Sequence, residues 1–235
     1  MMEGDVSKTN LKNLNSTTKD NGNIVVAVDK MEKFIHLPFN KKDKYFRNPD
    51  DFIRFIKACE NSVRKSPEYS RYIAYLKVTV GLQTCALFPN ITQAQAPLEF
   101  HHGPVFTLYD IIEIQIAYLF KNGDRINSSN VAHNVLKDHF DNIIQGVMLC
   151  EAAHKGVHAF QKTKDKKFFL PMDAAWGDMG KFLEKYHDSF TMQHVLKLKR
   201  YLQDYEKYSE HPEKPSLFAE DITLWANKFE EQGEK

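Results

Sequence analysis

The chain has 235 residues, 42% of them hydrophobic and 27% charged, so it belongs with soluble globular proteins rather than disordered or membrane-spanning ones, and it can bury a core without disulfide or metal staples. A formal net charge of +1 excludes the global positive field of a histone-like nucleic-acid binder, and leaves only local patches for such contacts. Three cysteines, Cys59, Cys85 and Cys150, are widely spaced and lack C-x-x-C pairing, which predicts reduced, mostly buried thiols.

Residues 1–29 are polar apart from the run Ile24 to Val28, and are expected to form a disordered arm without the apolar core of a secretory signal. No apolar run approaches a membrane span, so no membrane partner and a cytoplasmic location, the host cytoplasm for a phage-encoded chain, are expected. A helical unit should occupy 30–95. Phe52, Ile53, Phe55 and Ile56 recur at helical spacing behind Asn48 or Asp50 as N-cap, and Pro67 separates this helix from a second stripe of Tyr69, Tyr72, Ile73, Leu76 and Val80 ending near Gly81.

Residues 96–160 should form the core. Leu98-Glu99-Phe100 reads as a short strand and 105–140 as a helical insertion, with apolar periodicity over 108–120 and 131–140. Ile143 to Leu149 reads as a second strand, followed by a helix from about Glu151. Residues 161–235 should be helical, with three segments around Phe182, around Leu198 and around Trp225, the last preceded by His211-Pro212 and Lys214-Pro215. The fold class is therefore α+β and predominantly helical: a small ββα motif, split by a helical insertion and flanked by N- and C-terminal helices.

His154 and His158 stand one helical turn apart, so both imidazoles project from one face and can share a metal ion. A pair at that spacing is also common as a plain surface pair. At the strand end, His101 and His102 can point to opposite faces, one to a metal and one to a substrate. Asp110 and Glu113 read as a solvated helix edge, Glu99 as solvent-facing, Cys150 as a small buried residue, and His133, His139, His187, His194 and His211 as surface or capping residues. The segment Pro171 to Asp178 is expected to dock the tail against the core.

The string Leu98-Glu99-Phe100-His101-His102-Gly103-Pro104, followed by Asn142 to Leu149 and then by His154 and His158, resembles the strand, strand and helix of HNH (ββα-metal) endonucleases, phage-encoded ones included. The resemblance implies a phosphodiester hydrolase acting on DNA, with RNA not excluded. It makes His101, His154 and His158 metal ligands and His102 the general base. Asn142 would be the middle residue that orients the base, with Gln145 as the alternative. One divalent ion is implied, and imidazole ligands favour Zn, Ni or Mn over Mg. The basic run Lys162, Lys164, Lys166 and Lys167 is the candidate phosphate-contacting surface. The competing expectation is a non-enzymatic phage or host-takeover protein with a structural His-metal site, for which Cys150 is the natural fourth ligand, and a protein-binding helical surface. The absence of the Glu of H-E-x-x-H argues against a peptidase.

Overall fold

The computed structural model describes residues 48–209. The expected N-terminal arm and the helix around Trp225 lie outside the described residues. Helix α1 (Pro49–Arg64) starts where Asn48 caps it, with Oδ1 accepting from Asp51 N–H at 2.9 Å and Pro49 in the first turn. Its apolar face buries Phe52, Phe55, Ile56, Cys59 and Val63. Ser66 caps α2 (Pro67–Tyr75), which runs on into a π-type turn over Leu76–Val80 and stops at Gly81, left-handed at φ 85°. The predicted stripe is realised, with Tyr69, Tyr72 and Leu76 buried.

Strand β1 (Leu98–His102) pairs antiparallel with β2 (Gly146–Cys150), His101 opposite Val147 and His102 opposite Gly146. This two-stranded sheet is closed across the insertion, which holds α3 (Leu108–Lys121) and α4 (Ser128–Phe140). Thr107 and Asp110 form a reciprocal capping box at the start of α3. α1 packs on both insertion helices, and α5 (Glu151–Thr163) follows β2 directly and packs back on the sheet. The fold class read from the sequence is observed: mostly helical, with one small antiparallel sheet.

Tight backbone approaches lock this arrangement. A Cβ on Gly146 would lie 2.2 Å from the Phe100 ring, and one on Gly156 of α5 would lie 2.0 Å from Phe168. The tail contributes α6 (Met179–Tyr186) and α7 (Met192–Tyr208). Trp176 makes a reciprocal backbone bridge to Gly146 (2.8 and 2.9 Å), so the segment 171–178 does dock against the sheet. Between α4 and α6, the buried Asp138 carboxylate accepts from Lys185 Nζ (2.6 Å) and from the Tyr186 hydroxyl, which also contacts Gln115 Oε1 (2.5 Å). Burial and the neighbouring Asp138 raise the pKa of the Tyr186 phenol, so it stays a donor. Among the described residues, no helix is long and apolar enough to cross a membrane.

Candidate metal centre

Alternation along β1 sends its two histidines to opposite sides of the sheet. His101 faces α5, whose one-turn spacing brings His154 and His158 over it. The ring centroids of His154 and His158 lie 5.0 Å each from that of His101 and 4.7 Å from one another. One ring nitrogen from each lies within 4.8 Å of the others. The Nε2 atoms of His154 and His158 are 3.0 Å apart, near the roughly 3.3 Å expected of two nitrogens on one tetrahedral ion at about 2.0–2.1 Å. His101 is buried, His154 half-buried and His158 exposed, so the cluster opens outward from the sheet.

The electrostatics suit ligation. Burial first, then the His154 and His158 imidazoles, holds the His101 pKa down at about 4. Burial and His154 lower that of His158. Both rings therefore offer lone pairs at neutral pH, as a cation requires. His154 Nδ1 donates to Glu99 Oε2 at 2.7 Å, which leaves its Nε2 lone pair facing His158.

His102 occupies a different environment. It is 4% exposed, and its ring lies against Phe100 and Tyr69. Its Nε2 is 2.9 Å from Nε2 of His139 on α4. His139 Nδ1 donates to the Val135 carbonyl at 2.7 Å, so its Nε2 must accept, and His102 Nε2 carries the donated proton. Burial, with lesser repulsion from His139, pushes the His102 pKa well below its usual value, and burial holds that of His139 at about 4. A ring enclosed in this way, with Nε2 committed to His139, is a core element; it is not poised to deprotonate water beside an ion. His139, for which the sequence predicts a surface or capping role, is instead 1% exposed inside α4.

The middle positions also depart from the expected roles. Asn142 is left-handed at φ 57°, which gives it the turn-forming reason the sequence suggested, and its carbonyl accepts from Asp178 N–H at 3.0 Å. Gln145 is buried with neither side-chain amide atom bonded, and Asn142 Oδ1 is likewise unbonded. Among the described residues neither side chain bonds a histidine. Cys150 pairs opposite Leu98, on the sheet face away from His101, and its N–H contacts Cys85 Sγ at 3.4 Å; it does not join the histidine cluster.

Of the basic run, Lys164 binds Asp204 of α7 (2.8 and 2.9 Å) and Lys167 pairs with Asp165 at 3.1 Å, while Lys162 and Lys166 are exposed. A second group, Asp110, Glu113 and His194, also brings ligand atoms within 4.8 Å of one another. Asp110 is buried, accepts from Thr107 and pairs with Lys197 Nζ at 2.5 Å, so it is not the solvated edge its helix position suggested. His194 Nδ1 accepts from Thr191 N–H at 3.0 Å, and its buried Nε2, 3.3 Å from Glu113 Oε2, makes no hydrogen bond.

Sequence reasoning missed Glu99 and His139. Glu99 had a signal, since it stands two residues before His101 and so shares its strand face. His139 had none, because its partner lies across the chain fold.

A family model for bacteriophage G278-like virion proteins matches residues 1–227. The chain belongs to that family. This corrects the resemblance to HNH endonucleases: the strand, strand and helix with their histidines are present, but the family to which nearly the whole chain belongs is one of virion proteins. The expectation of an enzyme, whether nuclease or other phosphodiester hydrolase, is withdrawn with it, and so is the role of His102 as general base with Asn142 orienting it. No curated protein and no solved structure matches this G278-like chain.

Proposed function

We propose that this chain is a non-enzymatic component of the phage particle, in which His101, His154 and His158 hold a structural divalent ion and the helical exterior meets a neighbouring protein. The match of residues 1–227 to a virion protein family carries the reading. The particle, rather than the host cytoplasm, is then its place of action. Three neutral imidazoles suit Zn²⁺, Ni²⁺ or Mn²⁺ better than Mg²⁺, which prefers oxygen ligands. Such an ion would join β1 to α5 and leave one tetrahedral position to water or to a group from a neighbour. For the protein contact, the exposed apolar side chains Tyr75 and Val78 on α2 and its π-type turn, and Phe140 of α4, whose ring packs on Tyr72 of α2, are the candidates, since large exposed apolar groups mark contact surfaces.

Particles purified on a density gradient test the reading. The chain should sediment with them at fixed stoichiometry, and Val78→Glu with Phe140→Glu should reduce its incorporation without unfolding it. Recovery of the wild-type chain only in the free fraction would overturn the particle assignment. Zn²⁺ titration of the purified chain tests the ion, with one equivalent expected and loss on His154→Ala or His158→Ala.

A further inference from the structure

Glu99 is 58% exposed at its side chain, so burial does not explain where it points. It stands two residues before His101 on β1, which puts both on the sheet face that α5 covers. Its Oε2 lies 2.7 Å from His154 Nδ1, while His154 Nε2, on the other edge of the ring, lies 3.0 Å from His158 Nε2. The carboxylate therefore approaches the ring from the side away from the space the three histidines share.

We propose that Glu99 is a positioning residue of the metal centre: by accepting from His154 Nδ1–H it fixes the tautomer that presents the Nε2 lone pair to the ion. This rests on the metal reading above. A neutral imidazole carries one proton, and a hydrogen bond to one nitrogen decides which nitrogen is left to ligate. In the metal-free protein His158 Nε2–H donates to that same lone pair. Ion binding then requires the His158 proton to move from Nε2 to Nδ1 through solvent, with no net proton release. His154 needs no such change, because Glu99 has already set it. As a plain surface ion pair, the contact would contribute little; as the outer partner of a metal-ligating histidine, its loss weakens affinity about 10- to 100-fold.

Zn²⁺ affinity of the full chain, measured by competition with a chromophoric chelator, is compared for wild type, Glu99→Gln and Glu99→Ala, with Co²⁺ absorption reporting the ligand set and ¹⁵N NMR reporting the His154 tautomer without metal. Glu99→Gln keeps an acceptor oxygen and should bind within about threefold of wild type, whereas Glu99→Ala should lose about 10- to 100-fold. His154 should carry its proton on Nδ1 in wild type and Glu99→Gln, and become a tautomer mixture in Glu99→Ala. The Co²⁺ spectrum should be the same in all three. Unchanged affinity and tautomer in Glu99→Ala would reduce the contact to a surface ion pair. Equal losses in Glu99→Gln and Glu99→Ala with an altered Co²⁺ spectrum would make Glu99 a ligand and overturn the positioning role. If wild type itself took up no Zn²⁺ or Co²⁺, the metal centre would be what fails, and this inference with it, whatever tautomer His154 showed.

Discussion

The sheet carries histidines on both faces, and the two sets have opposite environments. On one side His101, His154 and His158 converge at an outward-opening site, with Glu99 behind His154. On the other, His102 and His139 are sealed among Tyr69, Tyr72 and Phe100, with their two Nε2 atoms bonded to one another and His139 Nδ1 bonded to a backbone carbonyl. Adjacent residues of one strand thus belong to different chemistries. Imidazole is both a ligand and a half-apolar ring able to donate and accept, and which property is used depends on the face that the pleat assigns.

The largest contrast should appear in stability. His139→Ala removes buried ring contacts and strands the His102 Nε2–H without an acceptor, and should cost about 3 kcal/mol in chemical denaturation. His154→Ala in metal-free protein should cost less than about 1 kcal/mol, since its ring is partly exposed. Similar losses in the two variants would erase the distinction between the faces.

Acid should come next, and it reaches both faces, since burial holds His101 down at about 4 as it does His139. His139 binds its proton at about pH 4 in the folded chain against an ordinary value of 6.5, so the unfolded chain binds more protons between those values and stability falls as pH drops through that window. The full contribution is present above about pH 6.5. The loss approaches about 1.4 kcal/mol per pH unit for each such histidine, and about 3 kcal/mol for His139 over the window. His102 shifts in the same direction. Urea midpoints measured from pH 7 to 4 should show this slope, and His139→Phe should make it shallower by the His139 share, with His101 and His102 supplying the rest.

Zinc should act only through the outward face. At a free concentration 100 times its dissociation constant, a single ion stabilises by about 2.7 kcal/mol, read as a rise in Tm that His158→Ala removes and His139→Phe retains. The smallest effect concerns how α5 is held. Lys164→Ala breaks the partly exposed pair with Asp204 that ties the end of α5 to α7, and should cost about 1 kcal/mol with little change in zinc affinity.

Much of this architecture was legible in the sequence. The cap at Asn48, the stop at Gly81 and the stripes of α1 and α2 follow from local rules that need no tertiary knowledge. The sheet was legible as well, even across its insertion, and so was the convergence of His101 with His154 and His158. Partners distant in the chain were not. Asp110 seemed solvated because Lys197 is 87 residues away, and His102 seemed available because His139 is 37 away. The nuclease reading failed for a related reason. A strand pair followed by a helix will bring histidines together wherever they fall on facing positions, whereas the role of the molecule is carried by the whole chain, and there the match is to virion proteins.

The split hairpin also has a temporal consequence. β1 ends at His102 and β2 begins at Gly146, so the strands cannot zip from a tight turn as an ordinary hairpin does. The chain entropy of closing so long a connection is offset only once α3 and α4 have packed, since helices form from local contacts and long-range pairing follows. The three histidines, two on α5 and one on β1, are then among the last groups to meet. An ion that binds only the assembled trio would arrive after the fold is complete, acting as a latch on a closed structure rather than as a seed for its formation.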